Sequence, residues 1–110
     1  MAKLERELNS DFNYLLNRIE QGIMNGSSTA SLEDSSDFID ANARCSVRVF
    51  ERYSVLGGNR VSLNVTLFQS GNGPVKISAI TSGGSQAMVF KINTFGESAF
   101  LDCLREILDE

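Results

Sequence analysis

The chain has no histidine and no tryptophan, and only one proline and two cysteines among its 110 residues. Without histidine, the usual general base for acyl or phosphoryl chemistry is missing, and no carboxylate pair takes its place on an inward face. Cys45 and Cys103 are too far apart in sequence for a metal-binding or redox motif, so no catalytic residue, cofactor or metal is expected, and the protein is not expected to be an enzyme. Long apolar runs are also lacking. The stretch from Val65 to Phe68, with Thr66 inside it, falls far short of the ~18 residues needed to cross a bilayer. One proline and nine glycines are too few for a collagen-like or disordered chain. The opening Met1-Ala2-Lys3-Leu4-Glu5-Arg6-Glu7 is charged where a secretory signal needs an apolar stretch of roughly seven to fifteen residues. Each cysteine falls on an apolar row and reads as a free, buried, reduced thiol, so the expected compartment is cytoplasmic.

What is present is a core. A hydrophobic fraction of 42% with 22% charged residues fits a single domain over 1–110 that folds without staples. Leu4, Leu8, Phe12, Leu15, Leu16, Ile19 and Ile23 step by three or four, which predicts an amphipathic helix over 1–25, relieved by Gly22 and stopped by Asn25-Gly26. Residues 26–43 form an acidic, Ser-rich connection with a short edge strand at 29–34. Its Glu33, Asp34, Asp37 and Asp40 lack the order of a calcium loop and read as a solvated face.

Residues 44–93 alternate. Cys45, Val47, Val49, Tyr53 and Val55 are followed, after Gly57-Gly58-Asn59, by Val61, Leu63, Val65 and Leu67. Gly71-Asn72-Gly73-Pro74 then leads to Val75, Ile77 and Ala79, and Ser82-Gly83-Gly84-Ser85 leads to a last strand over 87–93. Turns this short build antiparallel hairpins, not parallel crossovers. Thr94-Phe95-Gly96-Glu97 reads as a capping box opening a C-terminal helix over 94–110, with Phe100, Cys103, Leu104, Ile107 and Leu108 on its stripe. The expected fold is α+β: an N-terminal helix, a four- to five-stranded antiparallel meander and a C-terminal helix, in two layers, with the helices on the odd-numbered face. In element order it is similar to the later part of helix-grip folds, in which a curved sheet wraps a C-terminal helix over a ligand cavity.

Charge is divided unevenly. From Arg44 to Ile92 six basic residues face one acid (+5), and the remainder has four against thirteen (−9), for −4 overall. Parity places Arg44, Arg48 and Arg52 with Phe50, Phe68 and Ile80 on the sheet face away from the helices. Such a basic, aromatic platform suits single-stranded nucleic acid, but the net negative charge and the lack of an RNP-type pattern disfavour that partner. Apolar side chains on that face are either simply exposed or covered by the N-terminal helix, a second copy of the chain or another partner, and Arg48, Phe50, Arg52, Phe68 and Ile80 are the candidate interface of a homodimer or protein complex.

The stretches Val49-Phe50-Glu51-Arg52-Tyr53-Ser54, Ser78-Ala79-Ile80-Thr81-Ser82-Gly83-Gly84-Ser85 and Lys91-Ile92-Asn93-Thr94-Phe95-Gly96-Glu97 resemble a family of small uncharacterised bacterial proteins, a domain of unknown function. That resemblance implies no activity and no site residues. The leading expectation is a cytoplasmic interaction or structural module. The alternative is a small-molecule binder holding an apolar or anionic ligand between the sheet and the C-terminal helix.

Overall fold

The computed structural model describes residues 1–54, 59–83 and 90–109, with side chains at 1–53, 60–83 and 100–109. The elements run β1 (Ala2–Leu8), α1 (Phe12–Gly26), β2 (Ser31–Asp40), β3 (Ala43–Ser54), β4 (Asn59–Ser70), β5 (Val75–Gly83) and α2 (Phe90–Asp109). All five strands join one antiparallel sheet in the order β1-β5-β4-β3-β2. The α+β class and the two helices agree with the sequence reading, but several boundaries move.

Residues 2–8 are strand, not the start of a helix. Leu4 and Leu8 satisfy a spacing of four and an alternation of two equally well. The good helix formers around them are overruled by pairing with β5, in which Leu4 opposes Ala79 and Leu8 opposes Val75. Thr81 anchors the far end, its hydroxyl accepting from the Ala2 amide at 3.2 Å and donating to the Ala2 carbonyl at 3.3 Å. Helix α1 then starts at Asp11, whose extended backbone and carboxylate, accepting from the Tyr14 amide at 2.8 Å, cap the first turn. Its stripe of Phe12, Leu15, Leu16, Ile19 and Ile23 is buried.

The acidic connection is a ten-residue strand. β2 pairs with β3 along its whole length, with an irregularity between Leu32 and Asp34, and it is exposed at every position after Ser31. An edge strand carrying four carboxylates resists pairing with other chains, which is how a long edge is kept soluble. It turns into β3 through Ala41, which holds a left-handed φ of 53°.

The sheet ends at Gly83, ahead of the expected last strand. Of that strand, residues 87–89 lie outside the described residues, and 90–93 are the first turn of α2. Short apolar runs do not distinguish strand from helix by periodicity alone. The Thr94–Glu97 box therefore sits four residues inside the helix instead of opening it. The turns expected at Gly57-Gly58 and Gly84-Ser85 also lie outside the described residues.

Both helices pack on one face of the sheet. A single buried cluster joins the α1 stripe and Phe100, Leu101, Leu104, Ile107 and Leu108 of α2 to Val61, Leu63, Val65 and Leu67 of β4, Val75, Ile77 and Ala79 of β5, and Phe50 of β3. The helices meet at two glycines. A Cβ on Gly22 would lie 2.5 Å from the Ile107 Cδ1 atom, and one on Gly26 would lie 2.9 Å from the Cys103 sulfur. Glycines one turn apart thus let α2 lie close against α1.

Candidate functional site

Pairing register decides which side chains share a face, and in β3 it reverses the assignment expected from sequence. Phe50 opposes Leu63, Arg48 opposes Val65 and Arg52 opposes Val61, so the even-numbered residues of β3 lie on the helix side with the odd-numbered residues of β4. The expectation assumed a three-residue turn at Gly57-Gly58-Asn59, which pairs odd with odd. Four residues separate the paired Ser54 and Asn59, and one residue more in the turn flips the strand. The candidate interface set is therefore divided. Phe50 is fully buried and Arg48 is 8% exposed on the helix side, while Phe68 and Ile80 are 40% and 42% exposed on the other.

The three arginines fasten helices to the sheet instead of forming a platform. Arg44 lies 4.2 Å from the ring centre of Phe12 and donates to the Asn13 side chain at 2.8 Å. Arg48 donates from Nε to a Glu20 carboxylate oxygen at 2.5 Å and approaches Asp37 at 3.1 Å. Burial works against its charge, but the bonds to Glu20 and Asp37 outweigh this and raise its pKa above the ordinary value. The Asp37 carboxyl is held below its ordinary range by the Ser46 hydroxyl, which donates at 2.6 Å, and by Arg48. Arg52 lies 4.5 Å from the Phe100 ring centre, and burial lowers its pKa. The acidic strand supplies partners within the same chain, since Glu33 also approaches Arg60 at 3.7 Å. Arg44, Arg48 and Arg52 therefore do not form the row expected on the face away from the helices.

The opposite face is the candidate site. No described helix lies on it, and its side chains follow from the register. One row crosses the sheet as Glu7, Lys76, Phe68, Cys45 and Phe38; the next as Glu5, Ser78, Thr66, Val47 and Ser36; a third as Lys3, Ile80, Asn64, Val49 and Asp34. Phe38 is 67% exposed, and Cys45, Val47 and Val49 are half-buried beside it. On this face β3 bears only apolar side chains and cysteine (Cys45, Val47, Val49), Phe68, Phe38 and Ile80 add one apolar group each on β4, β2 and β5, and β1 bears charges alone. Between Glu5, Glu7, Phe68, Lys76 and Ser78 lies an open depression of about 480 Å³. Sequence reasoning missed Phe38, Val47 and Val49 here, the first because it sat in a presumed connection and the others through the reversed parity.

Both cysteines are free, but neither is fully buried as expected. Cys45 looks onto the open face opposite Phe68, and Cys103 lies against Gly26 between the helices, where burial pushes its thiol pKa up. Among the described residues no three His, Cys, Asp or Glu side chains converge as metal ligands would. No described helix is long and apolar enough to cross a membrane. Where the side chains of α2 are described, Phe100, Leu101 and Leu104 pack with Phe50 between that helix and the sheet, each at most 3% exposed.

A five-stranded antiparallel sheet covered by two helices on one face, with a half-apolar opposite face, defines a small two-layer α+β protein whose distinguishing surface is the bare sheet. The chain belongs to a family of unknown function, DUF6054, whose model matches residues 1–110. No curated protein matches it.

Proposed function

We propose that this protein is a cytoplasmic interaction module without catalytic chemistry of its own, and that its contact surface is the open sheet face. The observation that carries the reading is the placement of Phe38, Phe68 and Ile80, all at least 40% exposed, on the one sheet face that neither described helix covers. An antiparallel sheet that faces water is usually polar on that side, and exposed apolar groups with a polar rim mark contact surfaces. Two unpaired thiols fit a reducing compartment.

The test is site-specific photo-crosslinking in cells. A photoreactive residue at Ser78 should give an adduct of defined mass that disappears when Phe68→Asp is added, and the same residue at the exposed Asn17 of α1 should give none. No adduct at 78, or equal adducts at both positions, would overturn the proposal.

A further inference from the structure

We infer that the occupant of the open face is a second copy of this chain, docked sheet to sheet about a two-fold axis running along β4. This rests on the contact-face reading above and adds the identity and geometry of the partner.

The argument comes from the rows. A two-fold axis lying between the sheets along the central strand keeps each row at its own level and exchanges the two sides of the sheet. β1 of one copy then lies over β2 of the other, β5 lies over β3, and β4 lies over itself. In the third row Lys3 meets the partner's Asp34, and Ile80 meets the partner's Val49. In the first row Phe68 meets its own copy. β3 and β2 of one copy cover the β5–β1 half of the other, so Val47 comes over Ser78, Cys45 over Lys76 and Phe38 over Glu7 at the depression. An axis across the strands would set Glu7 on the partner's Lys3 and Cys45 on its Val49, but it would leave the three most exposed apolar groups on polar ones, Phe38 on Asp34, Phe68 on Asn64 and Ile80 on Lys76. The axis along β4 sets Phe68 on its own copy and Ile80 on Val49, and so buries two of those three against apolar partners.

The area fits a modest dimer. Five strands spaced ~4.8 Å and about seven residues of ~3.3 Å rise give a face of roughly 550 Å² per copy. That is about 1,100 Å² in all, above a typical packing contact and at the lower edge of stable interfaces, so micromolar association is expected.

Sedimentation of the purified full chain over a concentration series tests this. The parent should dimerise in the micromolar range, and Phe68→Asp should be a monomer with an unchanged near-ultraviolet circular dichroism spectrum. Lys3→Glu and Asp34→Lys each place like charges together at two symmetric contacts. About fivefold per contact makes each single variant roughly 25-fold weaker in dimerisation, and the double variant should recover most of that loss. If Phe68→Asp does not fold, Phe68→Ser serves in its place. A parent that stays monomeric at millimolar concentration refutes the second-copy inference, as does a dimer unaffected by Phe68 or one in which the two charge reversals do not rescue each other. A monomeric parent that still gives the Ser78 adduct in cells would leave the contact-face reading standing without this one.

Discussion

Truncating Phe50 and Phe68 separately tests the register on which the face assignment depends. Phe50 is fully buried between β3 and the helices and Phe68 is 40% exposed, yet both are aromatic residues at even-numbered positions in neighbouring strands. Phe50→Ala removes a whole ring from a filled core and should cost about 3–5 kcal/mol, transfer and cavity together. Phe68→Ala loses only partial burial against Cys45 and Lys76 and should cost about 1 kcal/mol. For a domain of this size, total stability is on the order of 5–15 kcal/mol, with a urea slope of roughly 1.5 kcal/mol/M. The Phe50 variant should therefore lose about 2–3 M in its urea midpoint, and the Phe68 variant less than about 1 M. Measuring at two protein concentrations separates folding from association, because only a dimer contribution moves with concentration. An equal or larger loss for Phe68→Ala at low concentration would mean that the faces have been exchanged and that the register is wrong by one residue.

Ala41 holds a left-handed φ of 53°, so Ala41→Gly should stabilise the protein by up to about 1 kcal/mol, read as a rise in urea midpoint. Asp11→Ala should cost about 1 kcal/mol by freeing the Tyr14 amide, whereas an unchanged midpoint would show that the cap contributes nothing. The Asp37 carboxyl is held below the ordinary carboxylate range because Ser46 and Arg48 bond its charged form. The stability it contributes is therefore complete above the unfolded value and is lost as pH falls through the lower folded value. Asp37→Asn should reduce the difference between urea midpoints measured at pH 6 and about pH 2.5.

The core strands β4 and β5 and the stripes of α1 and α2 were legible because alternation and helical spacing over several residues have few competing explanations. β1 was not, since Leu4 and Leu8 fit two periods and only β5, more than sixty residues away, decides between them. β2 was hidden by Ser and Asp, which are poor strand formers; its pairing with β3 and the capture of Asp37 by Arg48 supply what propensity does not. Half of the open face was misassigned for one reason: the faces of β3 depend on turn length, which side-chain pattern does not report. Asp11 is an N-cap residue type immediately before the apolar stripe of α1, and its signal is masked because Leu4 and Leu8 extend the same spacing past it.

The pairing of β1 with β5 also shapes how the molecule is made. The bond between Ala2 and Thr81 spans 79 residues, whereas β2 to β5 are joined by short turns. Closing the longer loop costs about 2–3 kcal/mol more in chain entropy than closing a four-residue turn. During synthesis β1 leaves the ribosome before its partner β5 and has none until almost the whole sheet has been translated. The meander can form as it emerges, while β1 waits as a short charged segment. Four of its seven residues, Lys3, Glu5, Arg6 and Glu7, are charged, a composition that disfavours pairing with other chains.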